Sequence, residues 1–159
     1  MEKTDHIIDD LDELSQQIYR EASSMSVFCS AHPLSCLRTR LRSRGVISAS
    51  DLEKVETGRI VIVTGLMVMV HTPPTKSGKR VMFITMEDET GLMDVIAFDK
   101  IQNKYAGVIL TSQVLSVKGR LQRQGAAEKP LSIIMERVVV PWSGSLVKLL
   151  LRKWQDFLT

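Results

Sequence analysis

The sequence predicts a mainly β chain: five strands closed as a Greek-key barrel, with a helical segment ahead of them and one helix behind. Three observations predict it. The hydropathy period switches from helical to strand spacing at Arg59. Apolar or alternating runs then follow in the order strand, strand, strand, short helix, strand, strand. The breaks between them are rich in Gly, Pro or acidic residues, as turns are.

The bulk composition agrees with a folded chain. Its 159 residues suit one domain with helical attachments, and 44% hydrophobic content supplies a real core. No apolar run is long enough to span a bilayer, and the acidic N-terminus lacks a secretory pattern. The expectation is a soluble, cytoplasmic protein with no membrane contact. Two cysteines, Cys29 and Cys36, are too few for a disulfide framework. With His32 they make only three of the four ligands zinc prefers, so they read as reduced, partly buried thiols. No metal and no cofactor is expected.

The formal net charge of +3 is unevenly spread. Residues 1–31 carry seven acids against Lys3 and Arg20, a balance of −5, which leaves +8 on residues 32–159. A basic body behind an acidic arm suggests a polyanionic partner.

The elements follow in order. From Asp5 to about Met25, Ile7, Ile8, Leu11, Leu14, Ile18 and Tyr19 fall at helical spacing, with acids crowding the early turns. Asp10 and Asp12 are two residues apart, so a helix points them in different directions and they read as solvated surface. In "HPLSCLRTRLRSRG", Leu34, Leu37 and Leu41 form one stripe and Gly45 is a C-cap candidate. Arg38, Arg40, Arg42 and Arg44 surround that stripe. They admit two readings, a solvated helix face or a secondary basic patch facing phosphates. "SASDLEKVETG" is a short capped turn or helix leading to the first strand.

"RIVIVTGLMVMV" is β-branched and apolar on both faces, as in a long, well-covered strand. "HTPPTKSGK" is a loop, and its Gly-Lys lacks both the earlier glycine and the following Ser/Thr of a phosphate-binding P-loop. Val81–Met86 and Leu92–Phe98 are strands joined by an acidic turn, and "DKIQNKYAG" is a short polar helix. Val114–Gln122 alternates, "RQGAAEKP" is a second loop, and Leu131–Val140 is the fifth strand. This order is that of an OB-fold, whose ligand face is strands two and three with the one–two and four–five loops. The expected division is a helical segment and linker over 1–57, the barrel over 58–141 and an amphipathic helix over 142–159. On that last helix Leu146, Leu149, Leu150, Trp154 and Phe157 share an apolar side, read first as docking on the barrel.

Placed on this topology, the charges become informative. Lys76, Lys79 and Arg80 fall in the one–two loop, and Arg123 and Lys129 in the four–five loop beside Lys118 and Arg120. Both loops flanking an OB groove are therefore basic. Single-stranded nucleic acid is held by such a cationic groove together with aromatic rings on which bases stack. Aromatics are only 5% of the chain. Phe83 is the expected stacker, with Met82 and Met86 on the opposite, core face, while Phe98 is assigned to the core.

Catalysis has little to work with. None of His6, His32 and His71 sits beside a Ser or Cys in a nucleophile elbow, and His32 reads as fixing a turn. Glu87, Asp88 and Glu89 are adjacent in a turn, where Asp-Glu-Thr-Gly supplies a polar tip. They read as hairpin acids forming surface pairs of little worth. A nuclease built on Glu87, Asp88 and Asp94 is the weakest reading.

"FCSAHPLSCLRTRLRSRGVISASDLEKVETGRIVIVTGLM" followed by "GKRVMFITMEDETGLMDVIAFDKIQNKY" resembles the C-terminal region of the bacterial DNA polymerase III alpha subunit, replicative or error-prone. The likeness covers about residues 27–140. Its marks are His32-Pro33-Leu34 ahead of a linker, then Phe83, Thr85, Met86, Glu87 and Asp88 in the hairpin; Cys29 and Ser30 depart from the family's more aromatic run. The resemblance implies an accessory OB domain that contacts single-stranded template near a polymerase, without the polymerase core. "QDFLT" also loosely resembles the short peptides that bind sliding clamps, through Gln155 and Leu158.

The sequence therefore predicts a non-catalytic OB module that binds single-stranded DNA in replication or repair. Its expected contacts are Lys76, Lys79, Arg80, Phe83, Lys118, Arg120, Arg123 and Lys129. Polymerase or sliding-clamp subunits are candidate partners, and the bacterial nucleoid the expected place. The alternatives are an RNA- or tRNA-binding OB domain, and an adaptor docking through its terminal helices.

Overall fold

The computed structural model describes residue 32, residues 34–123 and residues 131–142, with side chains 36, 40 and 140–142 left aside. The expected acidic helix, Cys29, Pro33, Lys129, the C-terminal helix, Gln155 and Leu158 lie outside the described residues.

Five strands form a closed barrel: β1 (Ile60–His71), β2 (Met82–Asp88), β3 (Gly91–Ala97), β4 (Val114–Arg123) and β5 (Leu131–Trp142). Around the wall the order is β1-β2-β3-β5-β4, and β4 closes back on β1. Every pairing is antiparallel except β3 with β5. This is the five-stranded Greek-key arrangement expected from the strand order, and closure leaves no sheet edge unpaired.

The alternation of apolar residues sets which side chains fill the barrel. Val61 and Val63 of β1, Met82, Ile84 and Met86 of β2, and Met93, Val95 and Ala97 of β3 point inward and are buried. Leu115, Val117 and Leu121 complete the core with Ile133 and Met135. A helix between β3 and β4 covers one end of it. This helix, numbered α3 below in chain order, runs from Asp99 to Thr111, four residues beyond the expected "DKIQNKYAG". It continues because its core-facing row continues: Ile101 and Tyr105 pack on the core cluster, and Ile109, one further step of four, is buried in it.

Two short helices precede the barrel. A 3-10 turn, Ser35–Leu37, leads into α1 (Arg38–Ser43), and α2 (Ala49–Leu52) follows. The predicted stripe is real, with Leu34, Leu37 and Leu41 all buried. Gly45 ends α1 as the sequence suggested, at φ +83°. Its N–H donates to the Arg42 carbonyl at 3.1 Å and the Val46 N–H to the Leu41 carbonyl at 3.0 Å, the paired bonds of a Schellman cap. Val46 then bridges to Ile62, which ties the segment to β1.

Closure forces β4 and β5 very close at one point. The register slips between Lys118 and Gly119, and a Cβ on Gly119 would lie 2.4 Å from the Ile134 carbonyl oxygen. Backbone cannot retreat there as a flexible side chain could. Gly107, on α3, has nothing within 4 Å of such a Cβ. Gly119→Ala should therefore lower stability by ~1–3 kcal/mol through overpacking. Gly107→Ala should raise it by ~0.5–1 kcal/mol through helix propensity. Urea or thermal unfolding of the two variants reads the opposite signs directly.

Candidate nucleic-acid interface

The outer face of β1, β2 and β3 follows from the same alternation. With Met82, Ile84 and Met86 turned inward, Phe83, Thr85 and Glu87 turn outward. Phe83 is 42% exposed, a large apolar ring left in solvent on a strand whose other apolar members are buried. Its cross-strand neighbours are His71 on β1 and Ile96 on β3. The next rung along the same face is Met69, Thr85 and Asp94. A bulge at Val68 leaves Val68 and Met69 both exposed beside these rungs.

Phe98 requires a correction. Its hydrophobicity predicts a place in the core, but it is 49% exposed. Met93, Val95 and Ala97 are the inward residues of β3, so the next position, Phe98, turns out of the barrel just as α3 begins.

The expected cations occupy two flanks. Lys76, Lys79 and Arg80 are exposed in the β1–β2 loop and enter no salt bridge with a described residue. A turn shapes the loop: the Gly78 N–H donates to the Thr75 carbonyl at 3.2 Å, and the Thr75 hydroxyl donates to the Lys79 carbonyl. Arg80 precedes Phe83 by three residues, so this loop delivers charge to the end of β2 where the ring stands. On the other flank, Lys118 is half-buried and Arg120 and Arg123 are exposed. Those two arginines are partly committed. Arg120 donates to the Gly58 carbonyl at 2.7 Å and lies 3.7 Å from Glu136, and Arg123 donates to the Glu53 carbonyl at 2.6 Å. Register relates the flanks: Arg120 pairs with Ile134, Ile134 with Ile96, and Ile96 with Phe83. Three strand spacings, about 14 Å, separate Arg120 from the ring along that row.

The acidic knot behaves differently from its expected role. Asp88 is only 2% exposed. Its Oδ1 accepts from the Thr90 N–H at 2.7 Å, the Thr90 hydroxyl at 2.6 Å and the Gly91 N–H at 3.1 Å. Its Oδ2 accepts from the Ala49 N–H at 2.8 Å and from Arg38 Nη2 at 3.2 Å. Glu89 takes Arg38 from the other side, through Nε and through Nη2 at 3.0 Å. These are not surface pairs of little worth; they join the N-terminal segment to the hairpin tip. Arg38, whose side chain is 11% exposed, is thereby withdrawn from the expected basic patch.

The same tip caps α2. Ser48, at the N-cap position, makes no capping bond of its own. Instead Asp88 accepts from Ala49 N–H, and the Thr90 hydroxyl accepts from Ser50 N–H at 3.0 Å, so the first helical donors are satisfied from across the fold. The Ser48 hydroxyl is free to donate to Asp51 at 3.0 Å, and that bond holds the Asp51 carboxyl below its usual range. Arg42 also reaches Asp51, at 3.3 Å. His32 fixes a turn, as expected: its Nδ1 accepts from the Leu34 N–H at 3.2 Å, and its Nε2 lies 3.3 Å from Glu87. Among the described residues, no three His, Cys, Asp or Glu side chains are grouped so as to hold a metal ion, and no helix is long and apolar enough to cross a membrane.

Sequence reasoning missed Arg38 and Glu89 as partners, and missed His71 and Asp94 as neighbours of the exposed ring. Cross-strand register alone places those last two, and it needs the hairpin tip and the β1 bulge to be known.

Comparison with known proteins agrees with this architecture. Residues 66–141 match the tRNA_anti-codon family, described as an OB-fold nucleic acid binding domain. The chain is 35% identical over 109 residues to "Error-prone DNA polymerase 1" of Rhizobium meliloti (strain 1021), covering 69% of this chain and 10% of that one. It is 37% identical over 112 residues to "Error-prone DNA polymerase" of Pseudomonas fluorescens (strain Pf0-1), covering 70% and 11%. The chain thus spans about a tenth of the length of the curated relatives it matches. The resemblance to the OB region of bacterial DNA polymerase III alpha subunits, error-prone type included, is upheld.

The hairpin anchor and the exposed ring stand at opposite ends of β2, so stability and binding should separate. Asp88→Ala leaves Arg38 to Glu89 alone and takes the acceptor from the Thr90, Gly91 and Ala49 N–H groups, and should cost about 1–3 kcal/mol in a urea melt, as buried donors left unsatisfied do. Under conditions where the variant remains folded, its affinity for an oligonucleotide should match that of the parent chain.

Proposed function

We propose that this chain, a relative of bacterial error-prone DNA polymerases, is a non-catalytic OB module that binds single-stranded DNA. The observation that carries the proposal is the exposed Phe83 ring beside a loop whose Lys76, Lys79 and Arg80 have no salt-bridge partner among the described residues. A ring left in solvent costs hydrophobic free energy in the free protein, and a stacked base recovers it. Unneutralised lysines and arginines next to it supply the phosphate contacts. Lys118, Arg120 and Arg123 form the second flank, with Arg120 and Arg123 exchanging a carbonyl bond for a phosphate; Lys129, outside the described residues, joins the proposal from its place in the sequence.

The likeness to error-prone DNA polymerases favours DNA over RNA as the natural strand and a polymerase assembly as the setting, in the bacterial cytoplasm. The proposed organisation is a helical N-terminal segment and linker over 1–57, the barrel over 58–141 and a C-terminal amphipathic helix over 142–159. The polymerase reaction itself belongs to the much longer chains of which this one matches a tenth.

Fluorescence anisotropy with a labelled single-stranded DNA oligomer, at two or more salt concentrations, tests the interface. Each phosphate neutralised contributes ~0.7 to the slope of log K against log salt for a single strand. Lys79→Ala with Arg80→Ala should therefore weaken binding to all sequences alike and flatten the slope by ~1.4. Phe83→Ala should cost ~1–3 kcal/mol of binding and leave the slope unchanged. An unaltered slope in the double variant would remove the β1–β2 loop from the interface. Tighter binding to a structured RNA than to DNA would instead select the RNA-binding alternative.

A further inference from the structure

The rung next to Phe83 carries a carboxylate, which is unexpected on a face meant for a polyanion. Asp94 is exposed, stands directly across from Thr85, and accepts the Thr85 hydroxyl on Oδ1 at 3.1 Å. That bond fixes the carboxylate's orientation and leaves Oδ2 without a described partner. Every other carboxylate of the hairpin has one: Asp88 and Glu89 hold Arg38, and Glu87 faces His32. Asp94 is the one hairpin acid that faces no basic side chain among the described residues.

We infer that Asp94 reads the base beside the one stacked on Phe83, and favours bases that present an amino group. Three steps lead there. A phosphate cannot settle on this rung, because an ionised carboxylate repels it, so the backbone must keep to the cationic loop and the bases must turn toward the strands. The rung lies two residues along β2 from Phe83, about 6.8 Å, within reach of a base adjoining the stacked one. A carboxylate oxygen can only accept hydrogen bonds. Cytosine N4 and adenine N6 present an amino donor at the base edge, whereas thymine's one donor, N3–H, lies between two carbonyl oxygens that repel Asp94. Thr85 spends its hydroxyl proton on Asp94 and so does not supply the missing donor.

The inference rests on the nucleic-acid reading of this face, and its test separates the two. The full chain is titrated with labelled oligo-dC and oligo-dT of equal length at one salt concentration, alongside Asp94→Ala and Asp94→Asn. The parent chain should bind oligo-dC at least about fivefold more tightly than oligo-dT, the lower end of what a good base contact discriminates. Asp94→Ala should bring that ratio close to one, chiefly by improving oligo-dT. Asp94→Asn should go further in the same direction, because its amide N–H can donate to thymine O4. Asp94 is exposed, so thermal unfolding should show all three proteins equally folded. A dC:dT ratio near one in the parent chain, or a ratio that neither variant alters, overturns the inference and leaves the interface standing. No binding of either oligomer overturns both.

Discussion

The buried carboxylate of Asp88 is the interaction on which the rest of the described structure depends. An ionised group taken out of water is costly unless every lone pair finds a donor. Here five donors converge: two from Thr90, one from Gly91, one from Ala49 and one from Arg38. The first three shape the β2–β3 turn. The last two come from the segment ahead of the barrel, so a single group sets the hairpin tip and docks what precedes it. Leu34, Leu37, Leu41 and Val46 of that segment are buried, and the bridge from Val46 to Ile62 gives it a second tie to the barrel.

The anchor also sorts the charges. The described chain has a surplus of cations, and where each goes decides what a partner meets. The hairpin acids consume Arg38 and face His32, and Asp51 takes up Arg42. These pairs neutralise the surface around α1, α2 and the hairpin tip. At the opposite end of β2 no acid among the described residues pairs with the β1–β2 loop, and Lys76, Lys79 and Arg80 keep their charge for solvent or for phosphate. Acids near a binding site need not weaken it; by pairing cations elsewhere they confine the positive field to one edge.

Much of this was legible beforehand, for physical reasons. Strand order, the core faces of β2 and the exposure of Phe83 follow from a period of two, and the bounding turns announce themselves by composition. The Gly45 cap could be read because only a local backbone conformation was at stake. Arg38 was not legible, because its partners lie 50 and 51 residues away and only the folded tertiary structure brings them together. For the same reason Glu87, Asp88 and Glu89 looked like a solvated tip. Phe98 failed differently. Its hydrophobicity suggested burial, while the inward phase of Met93, Val95 and Ala97 had already assigned it outward; the phase was the better guide.

β2 finally explains why docking and binding can coexist on one small hairpin. From Phe83 to Asp88 is five residues, about 17 Å of extended strand. Between them Ile84 and Met86 are inward and fully packed, so the strand is held along its length by the core rather than by either end. A strand so held transmits little of a perturbation at the tip to the ring at the base. The segment ahead of the barrel can then be fixed at one end of the hairpin while the other end stays free to take a partner. The outward residues between the two ends, Thr85 and its neighbour Asp94, belong to neither the anchor nor the core. That leaves them available for reading a base without cost to the fold.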